Sequence, residues 1–449
     1  MNFFKTISLV IILFSFALFA IANAQTYPDC SNGISLDGNH YGWENNQSCF
    51  RYPTCNNASA DPDPDGDGWG WQDSNVCVVH HSCSSSAVDP DSDGWGWENN
   101  ATCWVNGGSS ASGLANPAAN QTTQDIYRLL QDLPNRSGNR VLSGAFGGYS
   151  GISGGSAFSL AESDTIKAWT GQRPAIYACD YARGWDTANR VADLINYDCN
   201  ATLKKLFQDQ GGLVQISNHL PSPVPTNGGG LKDPIANWQY AKIFEPGHDI
   251  RKRWFQIITK VADGLADLQN SGVTVIYRPL HEMTGEWFWW GATGYNSNDA
   301  TRHALYKKLW VEMYNYFTHD RGLNNLIWVY SPDANRDHKM SFYPGDDFVD
   351  VVGLDAYNLS IWDATVQSGY NELSAVNKPF VFAEIGPSQG VFDAGGKYDF
   401  QQFISALHSH FPKTSYFIPW NDAWSPTAND NAWHLYNDPW TLNLGEVSY

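Results

Sequence analysis

From Gln124 to Tyr449 the chain alternates short β-rich runs with longer segments of helical period, and that alternation is the signature of a parallel β/α architecture. Eight runs read as strands: Val141–Gly144, Pro174–Ala178, Gly212–Ser217, Thr274–Arg278, Leu326–Tyr330, Val349–Leu354, Pro379–Ala383 and Tyr416–Pro419. The clearest helix is Asp249 to Asn270, where Ile250, Trp254, Ile257, Ile258, Val261, Leu265 and Leu268 fall on one apolar stripe. Ala300 to Phe317 and Phe400 to His410 read as two more. Eight strands over this length fit a closed (β/α)8 TIM barrel with loop insertions. A doubly wound open sheet is the alternative, but no glycine-rich phosphate loop follows the first strand.

In a barrel, functional groups gather where strands end, at the C-terminal face. Reading just past the strands gives Asp180, His219, Arg278 with His281 and Glu282, Asp355 with Tyr357, Glu384, and Trp420. A purely structural domain has no reason to set two glutamates on apolar strand ends. One could be a salt-bridge partner for an arginine, but two facing each other favour chemistry. Strands four and seven lie across the barrel axis, so Glu282 and Glu384 can flank a substrate from opposite sides. Glycoside hydrolysis needs one protonated carboxyl for the leaving sugar and one ionised carboxyl for the oxocarbenium-like centre. Carboxyls about 5–5.5 Å apart imply double displacement with retention. A nearby arginine such as Arg278 keeps Glu384 ionised, and mutual repulsion keeps Glu282 protonated. The expectation is a retaining endo-β-glycanase with Glu282 as acid/base and Glu384 as nucleophile.

The stretch Arg278-Pro-Leu-His281-Glu282-Met-Thr-Gly-Glu286-Trp287-Phe-Trp-Trp-Gly291 closely resembles the acid/base segment of glycoside hydrolase family 26. Tyr343-Pro-Gly-Asp346 followed by Val349 to Tyr357, and Phe382-Ala-Glu384-Ile-Gly386, are similar to the family's next two landmarks. The resemblance spans about Gln124 to Tyr449. It implies a (β/α)8 fold, retention and, most often, endo-β-1,4-mannanase activity. It matches Glu282 to the acid/base and Glu384 to the nucleophile. His219 and His281 match residues lining the −1 sugar, Trp287 the aromatic beside +1, and Tyr357 the hydroxyl on the nucleophile. Trp420 matches the platform under the −1 ring and Asp355 a supporting polar contact. This chain has Ala145-Phe146-Gly147-Gly148 where many family mannanases carry a Gln-His pair. Some relatives cleave β-1,3-xylan or mixed-linkage glucan with the same machinery.

The N-terminal quarter obeys other rules. Six of the eight cysteines lie between Cys30 and Cys103, in three segments that each end alike. Tyr41-Gly-Trp43 precedes Cys49, Trp69-Gly-Trp71 precedes Cys77, and Trp95-Gly-Trp97 precedes Cys103, the second aromatic always six residues before the cysteine. Units of about 25 residues cannot build a sufficient core alone, so one disulfide in each is physically sensible. The expected pairs are Cys30–Cys49, Cys55–Cys77, Cys83–Cys103 and, in the barrel, Cys179–Cys199, although sequence leaves the connectivity open. Residues i and i+2 of a strand share a face, so each aromatic pair can form a stacking platform for sugar rings. The competing reading is that one ring of each pair packs on the disulfide. The repeats resemble carbohydrate-binding module family 10 and the related fungal dockerins. Asp61-x-Asp63-x-Asp65-Gly66 and Asp89-x-Asp91-x-Asp93-Gly94 match the opening of a calcium loop, but the twelfth positions are Gln72 and Asn100. Solvated acidic turns are the better reading.

The resulting layout is a signal peptide over residues 1–24, repeats at 25–52, 53–80 and 81–105, a Gly/Ser/Ala/Asn-rich linker at 106–123, and the catalytic barrel at 124–449. Lys5, the apolar Ile7–Ala20 and Ala22-Asn23-Ala24 carry the leader assignment, and secretion is the expectation. A formal charge of −19 makes nucleic acid and membrane poor partners. Neutral polymers remain: β-mannan or a related plant cell-wall polysaccharide at the barrel, with cellulose or a protein as further ligands of the repeats. The protein is expected to act as a monomer. No cofactor and no metal is expected, since no second histidine follows His281 at zinc-site spacing, and no G-x-S-x-G elbow marks a serine nucleophile. The rival from another class is a non-catalytic, multivalent polysaccharide binder on the same barrel. Loss of either glutamate would have favoured it, and both are present.

Overall fold

A computed structural model describes residues 113–449 apart from 155 and 294–297, together with the backbone of short strands between 41 and 104. The expected leader, the three expected N-terminal disulfides, the aromatic rings of the repeats, the acidic loops and residues 106–112 of the expected linker lie outside the described residues. The backbone within the repeats forms three antiparallel hairpins: Tyr41–Glu44 with Gln47–Phe50, Trp69–Gln72 with Asn75–Val78, and Trp95–Glu98 with Ala101–Trp104. All three share one register, with the closing cysteine opposite the glycine between the aromatics (Gly42↔Cys49, Gly70↔Cys77, Gly96↔Cys103).

The rest of the chain is a closed barrel. Its strands are β1 (Val141–Tyr149), β2 (Ile176–Asp180), β3 (Leu213–Ser217), β4 (Val275–Arg278), β5 (Leu326–Tyr330), β6 (Val351–Asn358), β7 (Phe380–Pro387) and β8 (Thr414–Pro419). Each pairs in parallel with the next in sequence, and β8 returns to β1 through Tyr416↔Leu142 and Phe417↔Ser143. Strands sandwiched between helices and barrel interior are buried on both faces, which is why Leu326-Ile-Trp-Val-Tyr330 is apolar throughout. All eight expected strands form. Four run further than hydropathy suggests: β1 continues to Tyr149, β2 to Asp180, β6 to Asn358 and β7 to Pro387. The extensions carry glycines and the site's polar groups, so an apolar criterion stops where function begins.

The helices follow the 3.6-residue pattern. The one at Asp249–Gln269 buries every member of its expected stripe. Ala300–Asn315 and Phe400–Ser409 are also helical. After β5, by contrast, there is no long helix, only single 3₁₀ turns at Lys339–Ser341 and Asp346–Phe348. The connection there is an extended loop, and it becomes part of the site.

The helix at Gln121–Asp132 precedes β1 and meets the N-terminal ends of the strands. Thr123 Oγ1 lies 2.9 Å from Thr274 Oγ1, and Ser415 Oγ donates to the Leu130 carbonyl at 2.6 Å. Contacts begin still earlier in the Gly/Ser/Ala-rich run. Leu114 is buried, and the Ala115 N–H donates to Asp350 Oδ1 at 2.6 Å while the Trp328 N–H donates to Oδ2 at 2.7 Å. Burial raises that Asp350 carboxyl to about 6. Cys179 and Cys199 form the expected disulfide, tying the end of β2 to the helix at Asn200–Gln210. Among the described residues, no helix is long and apolar enough to cross a membrane.

Candidate active site

Glu282 sits on a turn held under constraint. Leu280 (φ +50°) and Glu282 (φ +54°) both occupy the left-handed region, costly for residues with a side chain. Three bonds fix the turn. The Tyr306 hydroxyl donates to the Leu280 carbonyl at 2.9 Å, Trp290 Nε1 to the His281 carbonyl at 2.9 Å, and the Glu282 N–H to the Ser331 carbonyl at 2.8 Å. Strain of this kind survives only where the surroundings overdetermine it, and here it aims one carboxyl.

Glu384 comes from the extended end of β7. A register shift between Leu354 and Asp355 sets Asp355 beside Glu384 on the neighbouring strand. Arg278, fully buried at the end of β4, joins them. Its Nη1 is 2.8 Å from Glu384 Oε1, its Nη2 donates to Asp355 Oδ2, and its Nε donates to Ser331 Oγ at 2.8 Å. Tyr357 O–H donates to Glu384 Oε2 at 2.8 Å. Glu282, Asp355 and Glu384 each bring one carboxyl oxygen within 4.8 Å of the others. Such a trio has the composition of a metal site, but the cation among these three carboxyls is the Arg278 guanidinium.

Three carboxyls around one guanidinium cannot all ionise cheaply. Glu384 and Asp355 touch it and Glu282 does not. Burial, reinforced by Asp355 and Glu384, pushes the Glu282 carboxyl well above the usual carboxylate range. Burial pushes the Asp355 carboxyl well above its ordinary value too, and its ion pair with Arg278 opposes that rise without cancelling it. Contact with the guanidinium favours the ionised forms of Asp355 and Glu384, so Glu282 is the carboxyl best placed to hold a proton. Tyr357 is pushed well above 10 by burial and by Glu384, so it remains a donor.

The histidines form a second row. Asp180, fully buried at the end of β2, accepts from the His219 N–H at 3.1 Å and lies 2.8 Å from its Nδ1. The His219 ring is 4.6 Å from that of His281. Burial, Arg278 and His219 hold His281 well below 6.5, which leaves it neutral. Across the cleft Trp420 stacks on Phe146 with ring centroids 3.6 Å apart and planes within 10°. Trp287 donates its indole N–H to Glu282 Oε2 at 2.6 Å.

All nine residues expected at the site converge: Glu282, Glu384, His219, Arg278, His281, Trp287, Asp355, Tyr357 and Trp420. Strands one and five contributed nothing to the sequence reading, and both contribute here. From β1 come Phe146, which backs Trp420, and Tyr149, edge-on to His219 at 5.5 Å and to Trp185 at 4.7 Å. From the loop after β5 come Ser331, Asp333 and Arg336. Asp333 is buried and its carboxyl is raised to about 6 by that burial. The aromatics inside the Gly-rich end of β1 were the one available signal.

A carboxyl pushed toward its protonated form and a guanidinium-bound carboxyl, facing each other among aromatic rings at the mouth of a β/α barrel, define the site of a glycoside hydrolase. The chain belongs to glycosyl hydrolase family 26, whose model matches residues 115–446. A mannan endo-1,4-β-mannosidase of Bacillus subtilis (strain 168) is 52% identical over 333 residues, covering 74% of this chain and 88% of that protein. The solved structure of a Bacillus subtilis mannanase aligns with TM-score 0.70 at 49% identity, covering 75% of this chain and 96% of that one. A β-mannanase from a symbiotic protist of the termite Reticulitermes speratus, 24% identical with TM-score 0.58, covers 76% of this chain and 98% of its own and shares the fold.

Proposed function

We propose that this chain is a secreted endo-β-1,4-mannanase that works by double displacement, its N-terminal repeats anchoring it to plant cell-wall polysaccharide. The observation that carries the mechanism is the pairing of Glu282 and Glu384, with oxygens within 4.8 Å and, of these two, only Glu384 in contact with the guanidinium. Spacing this short leaves no room for both the sugar and an attacking water between the carboxyls, and favours retention over inversion. Glu384 attacks the anomeric carbon from the α side while protonated Glu282 gives its proton to the departing glycosidic oxygen. The resulting α-glycosyl ester is hydrolysed by water entering from the β side, and ionised Glu282 now takes the proton. Arg278 and Tyr357 hold Glu384 in line, and neutral His281 offers an uncharged hydrogen-bonding group to the sugar hydroxyls.

Mannan as substrate is supported by relatives named mannan endo-1,4-β-mannosidase at 52% and 50% identity. Product analysis on galactomannan, glucomannan, β-1,3-xylan and lichenan tests it. Manno-oligosaccharides should appear from the first two at rates at least about 100-fold above those on the others, as hydroxyl-reading subsites allow. Faster cleavage of β-1,3-xylan or lichenan would reject the mannanase reading and leave the hydrolase.

The shared hairpin register supports three equivalent modules, each presenting its aromatics on one strand. Deleting residues 25–109 should leave turnover of soluble mannohexaose unchanged within about twofold, while pull-down on insoluble mannan or cellulose falls roughly 100-fold through lost multivalency. Pull-down that survives Ala at Trp43, Trp71 and Trp97 together would rule out sugar binding by these platforms.

A further inference from the structure

The hydrogen bond from Trp287 Nε1 to Glu282 Oε2 has a consequence for proton delivery. An N–H donor at Oε2 favours that oxygen as the acceptor, and so favours Oε1 as the carrier of the proton that Glu282 hands to the leaving sugar. The orientation of the Trp287 indole therefore biases which oxygen is the acid.

Several contacts set that orientation. A Cβ on Gly285 would run into the Trp287 ring, so glycine makes room for it. The Arg336 guanidinium carbon lies 5.1 Å from the Trp287 ring centroid, in cation–π contact. Arg336 is itself gripped by Glu286 through two parallel bonds, Nε to Oε2 at 3.1 Å and Nη2 to Oε1 at 3.0 Å. The loop carrying Arg336 follows β5, and two more bonds join it to the turn bearing the acid. The Ser331 carbonyl accepts the Glu282 N–H at 2.8 Å, and Thr284 Oγ1 accepts the Asp333 N–H at 3.2 Å.

We infer that Arg336, locked by Glu286, is a positioning residue: it holds the Trp287 indole so that its N–H stays on Glu282 Oε2 and the acid proton stays on Oε1. The inference rests on the acid/base assignment of Glu282. A purely structural ion pair joining two loops would affect stability alone, whereas a positioning role affects only reactions in which Glu282 must donate its proton.

The test compares Arg336→Met, Glu286→Gln, Arg336→Lys and Glu282→Ala on mannohexaose and on dinitrophenyl β-mannobioside, whose phenolate departs without a proton. Since kcat/KM reports steps up to the departure of the leaving group, it isolates the acid role. Arg336→Met should lose about tenfold in kcat/KM on the oligosaccharide, within the range general acid catalysis supplies, and less than about twofold on the aryl glycoside. Its alkaline limb on mannohexaose should move up by roughly half a pH unit, because ionised Glu282 has lost a donor. Glu286→Gln should show the same pattern more weakly, and Arg336→Lys should recover part of the loss, keeping the charge without the fork. Equal losses on both substrates, or a lowered melting temperature with kinetics and pH limb unchanged, would overturn the positioning role. If Glu282→Ala itself fails to discriminate between the substrates, the acid/base assignment falls instead, a result distinct from an unselective Arg336→Met beside a selective Glu282→Ala.

Discussion

Glu384→Ala loses turnover on every substrate, polymer and activated aryl glycoside alike, by on the order of 10⁵- to 10⁶-fold, the scale seen when a covalent nucleophile is removed. The leaving group makes no difference because no glycosyl ester can form. Folding should survive: Arg278 keeps its bonds to Asp355 and Ser331, and Tyr357 can turn to water. Azide fits the space vacated on the α side, so it should restore activity on the dinitrophenyl glycoside and yield an α-mannosyl azide. A variant that keeps even about 1% of wild-type activity on either substrate without azide would remove Glu384 from the nucleophile role, given the magnitude expected for one.

The second large effect separates the other carboxyl. Glu282→Ala should cost roughly 10²–10⁴-fold in kcat/KM on mannohexaose, where the departing oxygen needs a proton. On the dinitrophenyl glycoside it should cost far less. Turnover then stalls at hydrolysis of the glycosyl ester, and azide attacking from the β side should give a β-mannosyl azide. The same group sets the pH profile. Glu282 is held above the ordinary carboxylate range and must be protonated to act, so kcat/KM falls as pH rises through that raised value. Removing a neighbouring negative charge with Asp355→Asn should bring the alkaline limb down. Equal losses on both substrates, or azide products of swapped configuration, would mean the two roles are exchanged.

Legibility in the sequence followed burial. Strands such as Leu326–Tyr330, apolar on both faces, and the stripe from Ile250 to Leu268 are patterns the hydrophobic effect writes directly, and they were readable to within a residue or two. The two glutamates stood out because charge at the end of an apolar strand has no structural excuse. What could not be read was anything depending on register or on a loop meeting another loop. The shift at Leu354/Asp355 places Asp355 against Glu384 and leaves no mark in hydropathy. Phe146 lies past the run Val141–Gly144 that reads as the first strand, but the strand continues through it and stacks it under Trp420. Arg336 reaches Glu286 and Trp287 from a connection 50 residues later in the chain, in a β/α unit without a long helix. The loop after β5 therefore gave no periodic signal, although it touches the acid's backbone, its indole donor and Arg278.

The central claim is that two facing carboxyls hydrolyse the bond with retention, and the configuration of the first product tests it most directly. Proton NMR of mannohexaose hydrolysis, followed before mutarotation sets in, should show the β-anomer of the new reducing end appearing first and the α-anomer only later. An α-anomer formed first would contradict double displacement at Glu384, whatever the variants show.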